Sequence, residues 1–77
     1  MKEFVEYLVK NLVDDPEAVK LECFEGERGL VMELRVANDD VGKVVGRQGR
    51  TINAVRTLAA IAATRLGHRI RINLIEE

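Results

Sequence analysis

The sequence predicts an α+β domain with the element order α-β-β-α-α-β, a three-stranded sheet with three helices packed on one face. Three observations lead to this. Apolar residues recur at helical spacing in two long segments and alternate in three short ones. Strong breakers stand between those segments, namely Asp14-Asp15-Pro16, Glu25-Gly26-Glu27-Arg28-Gly29, Asn38-Asp39-Asp40, Gly46-Arg47-Gln48-Gly49 and Gly67. The 77 residues, 47% of them hydrophobic, suffice for one small core and not for two, so residues 1–77 are read as a single domain.

The first helix runs from Lys2 to Val13, with Phe4, Val5, Leu8, Val9 and Leu12 on its apolar stripe. Pro16 ends it, because the residue before a proline is driven out of the helical region. Ala18 to Phe24 alternates, with Val19, Leu21 and Cys23 on one side and Lys20 and Glu22 on the other, as a half-buried strand does. Glu25 to Gly29 makes a hairpin loop, and Leu30 to Val36 alternates again with Leu30, Met32, Leu34 and Val36 inward. Asn38, Asp39 and Asp40 offer caps for a one- to two-turn helix from Val41 to about Val45. A longer helix follows from Arg50 to Leu66, with Ile52, Val55, Ala59, Ala62 and Leu66 inward and Gly67 as its C-cap. The last strand, His68 to Ile75, turns Ile70, Ile72 and Leu74 one way and Arg69, Arg71 and Asn73 the other.

The net charge of −1 conceals a strong asymmetry. Residues 1–40 hold five Lys/Arg against eleven Asp/Glu, a net of −6. Residues 41–75 hold Lys43, Arg47, Arg50, Arg56, Arg65, Arg69 and Arg71 and no acid, a net of +7, before Glu76 and Glu77 add two negative charges. One basic face suited to a polyanion is expected, and arginine is the better residue for paired phosphate contacts. No apolar run approaches the ~20 residues of a membrane span, and the acidic N-terminal stretch does not read as a signal peptide. The single Cys23 has no disulfide partner within the chain and reads as a small core residue in a reducing compartment. His68 stands without a second metal ligand near it in sequence, and no nucleophile–base set is assembled, so neither a metal, a cofactor nor an enzymatic activity is expected. Asp14, Asp15, Asp39 and Asp40 read as caps and turn formers.

Val45 to Arg50 is the segment with chemistry. Two helices meet with only Gly46-Arg47-Gln48-Gly49 between them, and glycine at both ends allows approaches that a Cβ blocks. The second helix begins there, and a helix N-terminus presents free N–H groups and a positive pole to a phosphate. Arg47 and Arg50 add full charges, and Lys43 stands one turn earlier. A Gly-x-x-Gly string alone is weak evidence, because two glycines at that spacing recur by chance.

The stretch Val41-Gly42-Lys43-Val44-Val45-Gly46-Arg47-Gln48-Gly49-Arg50-Thr51-Ile52 resembles the helix–loop–helix signature of KH domains. The element order is similar to the type II, bacterial-style arrangement, and the likeness covers essentially the whole chain. In size and in GKVVGRQGRTI the sequence is similar to the small stand-alone bacterial KH family KhpA, also called YlqC. The resemblance implies a type II KH fold and a loop that clamps about four nucleotides of single strand by their backbone. Gly46, Arg47, Gln48 and Gly49 map onto that loop. Val41, Val44 and Val45 map onto an apolar groove beneath the bases, with Ile52 behind. The orientation of Arg69 and Arg71 to the groove is left open.

The resemblance further implies a cytoplasmic RNA chaperone or post-transcriptional regulator. Such a protein self-associates or pairs with a larger KH protein of the KhpB (Jag) type. The alternative is a KH module that mainly docks on a partner, and nothing in the sequence separates RNA from single-stranded DNA. The two Phe, one Tyr and absence of Trp give the predicted groove no aromatic platform. Binding is therefore expected to be weak, salt-sensitive and sequence-tolerant. Leu58 and Ile61 lie on a second apolar stripe of the long helix, as a dimer or partner interface requires.

Overall fold

The computed structural model describes residues 1–76; Glu77, the last residue of the predicted domain, lies outside the described residues. Helix α1 spans Lys2–Lys10, strand β1 Lys20–Gly26, strand β2 Gly29–Arg35, helix α2 Val41–Val45, helix α3 Arg50–Arg65 and strand β3 Ile70–Leu74. The predicted α+β order holds. Short 3-10 turns at Pro16–Ala18, Asn38–Asp40 and Arg47–Gly49 join these elements. The sheet order is β1-β2-β3, antiparallel between β1 and β2 and parallel between β2 and β3, so the chain must cross over through α2 and α3.

The core lies between one sheet face and the helices. Val5 and Val9 of α1, Val44 of α2 and Ile52, Val55 and Ala59 of α3 bury against Leu21, Met32, Leu34 and Ile72. The alternation of β2 and β3 is as the sequence reads, and their partners are fixed by register, Met32 beside Ile72 and Leu34 beside Leu74. The parity puts Glu22, Phe24, Val31, Glu33, Arg35, Arg71 and Asn73 on the opposite, uncovered face.

Several expectations are corrected. Helix α1 stops at Lys10, with Asn11 helical only as its cap, and β1 begins at Lys20 rather than Ala18. Cys23 is exposed, not a core residue. Beyond Leu21 every residue of β1 is exposed, so the hairpin extends past the helical layer and alternation there carries no burial. In α3 the inner position is Ala63, with Ala62 half-buried and Leu66 61% exposed. The reason is the helix end. His68 N–H donates to the Ala63 carbonyl and Gly67 N–H to that of Thr64, the Schellman pattern, which turns the chain toward β3 before Leu66 can reach the core.

Candidate nucleic-acid interface

The loop between α2 and α3 is built on one glycine. Gly46 closes α2 by donating its N–H to the Gly42 carbonyl at 2.9 Å. It then takes φ 75°, ψ 176°, a region open essentially to glycine alone. The approach is as restrictive as the dihedral, since a Cβ there would lie 2.1 Å from Thr51 Oγ1 and 2.9 Å from the Thr51 backbone nitrogen. The first turn of α3 thus packs directly against Gly46. Gly49 N–H donates back to the Gly46 carbonyl at 3.2 Å, and Gln48 is held left-handed at φ 56°, ψ 27°. A glutamine gains nothing from that conformation by itself, and such strain persists where the surrounding structure imposes it.

The result is a tight turn that presents exposed Arg47 and Gln48 side chains beside the start of α3, which has no side-chain cap. Arg50 is exposed and donates to Gln48 Oε1 at 3.4 Å. Neither Arg47 nor Arg50 forms an ion pair among the described residues. Guanidiniums without an acid partner, an uncapped helix N-terminus and a glycine that lets backbone approach backbone together have the chemistry to hold an anion.

Lys43 is differently placed. Its ammonium is engaged by the carboxylates of Asp14 and Asp40, which hold its pKa above the ordinary lysine value, the hydrogen bond to Asp14 being the larger cause. Its charge is therefore shared with acids before any ligand arrives.

Asp40 was expected as a helix cap, and this is corrected. No side-chain cap bond is made at α2. The carboxylate is 1% exposed and accepts the backbone N–H of Asp14 at 3.1 Å and of Asp15 at 3.0 Å. Those two N–H groups, Asp14's first, lower its pKa against the opposing effect of burial, and Lys43 adds to them. Asp40 thus ties the α1–β1 connection to the head of α2. Nothing in Asn38-Asp39-Asp40 distinguishes the third residue for this role, because its partners are backbone groups 25 and 26 residues away.

Of the apolar groove residues, Val44 and Ile52 are buried and support the loop from beneath, while Val41 and Val45 keep partial exposure. Val41 borders a cleft with Val36, Asn38, Lys20 and Ile75, and a second groove separates α3 from β3. Arg56, assigned no role from sequence, crosses this second groove. Its Nε donates to the Ile72 carbonyl at 3.1 Å and its Nη1 to Asn53 Oδ1 at 3.2 Å. Its position inside the acid-free run is the only sequence signal for it. Arg71 lines the same groove, whereas Arg69 lies at the hairpin end of the sheet. Leu58 and Ile61 of α3 are 47% and 51% exposed.

The family model described as KhpA/KhpB, KH domain matches residues 2–74. The "RNA-binding protein KhpA" of Chlamydia pneumoniae is 46% identical over 77 residues, 100% of this chain and 99% of that one. The protein of the same name from Borreliella burgdorferi is 42% identical over 74 residues, 96% of this chain and 90% of its own. That from Clostridium perfringens is 41% identical over 75 residues, 97% of this chain and 100% of its own. With a matching model across nearly its whole length and full-length relatives above 40% identity, the chain belongs to the KhpA/KhpB family of KH domains.

Proposed function

We propose that this protein is a non-enzymatic, cytoplasmic binder of single-stranded RNA that grips the RNA backbone with Gly46-Arg47-Gln48-Gly49. The observation that carries the reading is Gly46, whose glycine-only conformation and close approach to Thr51 set Arg47 and Arg50, neither with an acid partner among the described residues, beside the uncapped start of α3. Relatives bearing the name RNA-binding protein KhpA support it. Lys43, Gly46, Arg47, Gln48, Gly49 and Arg50 form the phosphate side of the site. Val41 and Val45 form its apolar side, with the buried Val44 and Ile52 beneath them. The biological role that fits loose, sequence-tolerant binding is that of an RNA chaperone or post-transcriptional regulator.

The test is Arg47→Asp with Gln48→Asp. Aspartate tolerates the left-handed conformation of position 48 and Arg47 is exposed, so the fold is retained. Cross-linking of RNA in cells is expected to disappear in the double variant. Full cross-linking with loss of a protein partner would instead favour a docking module.

Leu58 and Ile61 favour a second role alongside the first. Two large apolar side chains half exposed on one helix face suit self-association or pairing with a KhpB (Jag)-like KH protein. Pairing doubles the number of loops on one RNA and raises a weak affinity through effective concentration. Ile61→Glu is expected to convert a dimer into a monomer in sedimentation or light scattering while single-loop RNA affinity stays within about twofold. An unchanged mass relative to a dimeric parent would remove this interface.

A further inference from the structure

At the far end of α3 from the loop, three more arginines converge. Arg28 in the two-residue hairpin turn and Arg69 and Arg71 at the start of β3 line one cleft of about 510 Å³. Leu30, Val31 and Ile70 give it apolar walls. A close backbone approach brings the turn to β3. Leu30 N–H donates to the Arg69 carbonyl at 2.8 Å. Gly29, at φ +132°, lies so near that a Cβ would be 2.4 Å from the same oxygen. Only glycine fits there, so the hairpin tip is pinned against the strand.

The cleft carries a net positive charge. On the next rows of the uncovered sheet face, Arg35 pairs with Glu22 at 3.2 Å and Glu33 at 3.9 Å. Arg28, Arg69 and Arg71 form no ion pair among the described residues. The one acid on the wall is Glu27, in the turn. Three guanidiniums around apolar walls suit a ligand that is both anionic and flat, a phosphate with its base. Phe24, 47% exposed, pairs with Val31, which pairs with Arg71, so an aromatic ring completes the same row across the sheet.

The cleft also joins the groove between α3 and β3. The two share Ile70 and Arg71, and in the groove Arg56 donates to Asn53, whose amide nitrogen would lie 3.7 Å from a Cβ on Gly49 of the loop. The groove thus leads from the cleft past Arg71 and Arg56 toward the first turn of α3. We propose that the hairpin cleft is a second RNA site, taking the segment of single strand that continues from the GRQG loop along this groove. The proposal rests on the loop reading above. An acidic peptide would satisfy the same arginines, but the groove leading from the cleft past Arg56 toward the loop favours one extended polyanion.

The test uses the full chain and two uridine-tract RNAs, one of about four nucleotides, enough for one loop, and one roughly three times longer. Arg28→Glu with Arg71→Glu is expected to weaken the longer RNA at least about tenfold and to lower its salt slope by about 1.4, leaving the short RNA unaffected. Gln at both positions should show the same pattern with a smaller loss and guards against a hairpin disturbed by charge reversal. The proposal is overturned if the longer RNA binds the variants as tightly as wild type, or if both RNAs weaken equally. It is likewise overturned if RNA affinity stays and only poly-glutamate binding, measured in parallel, is lost. Arg47→Asp with Gln48→Asp separates the two readings. If that variant still holds the short RNA, the loop grip fails, while the effect of Arg28 and Arg71 on the longer RNA still decides the cleft.

Discussion

Gly46→Ala is expected to remove single-strand binding and to lower stability by on the order of 2 kcal/mol or more. Two independent effects act at this position. The φ of 75° with ψ of 176° disfavours any Cβ-bearing residue, and the added methyl carbon meets the backbone nitrogen of Thr51 as well as its side chain. A side-chain clash alone could relax through a rotamer; a clash with the helix backbone cannot. The first turn of α3 must therefore move away, and the loop that carries Arg47 and Arg50 is displaced with it. Thermal unfolding and an RNA titration measure the two consequences separately. An alanine variant with wild-type melting and wild-type affinity would show that the loop does not depend on this contact.

Asp40→Asn is expected to lower Tm by several degrees, with the loss concentrated in the anchoring of α2. The carboxylate accepts two backbone N–H groups and faces Lys43. The amide keeps one acceptor, turns a donor toward the other N–H and leaves the ammonium with Asp14 alone. The pH dependence has a definite sign. Because the folded-state pKa of Asp40 is lowered, its contribution is complete above the ordinary aspartate value of about 3.9 and is lost as pH falls from there through the depressed value. The raised pKa of Lys43 acts in the opposite direction, its contribution being complete below the ordinary lysine value and lost as pH rises beyond it. The acid limb should be shallower in Asp40→Asn than in wild type when unfolding is followed by circular dichroism from neutral to acid pH. Equal limbs would place the acid sensitivity elsewhere.

What the sequence could and could not disclose follows from the range of each interaction. Element order was legible because periodicity is local; the spacing of Val5 and Val9, or of Ile70 and Ile72, needs no knowledge of the partner. The GRQG loop was legible for the same reason, since two helices and four residues define it. Burial at the ends of elements was not. Cys23 alternates as a core residue does, yet is exposed, because burial along β1 ends at Leu21. Leu66 continues the helical stripe but falls at the turn made by Gly67. Asp40 and Lys43 form a cluster with residues 25 to 29 positions earlier, and no pattern in their own neighbourhood announces it. Arg28 is the strongest case. It belongs to the acidic half of the sequence and joins the basic surface only because Gly29 lets the hairpin meet Arg69. The asymmetry of charge along the chain therefore understates the basic surface of the folded molecule.

The loop is the centre of the account, and titration of a short single-stranded RNA into wild type and into Arg47→Asp with Gln48→Asp tests it most directly. Wild type should bind weakly, with affinity falling as salt rises at a slope of roughly −0.7 per phosphate contact. The double variant, folded by circular dichroism, should lose at least about tenfold at low salt and show a flatter slope. Equal affinity and equal slope in the two proteins would contradict the claim that Gly46-Arg47-Gln48-Gly49 holds the RNA backbone.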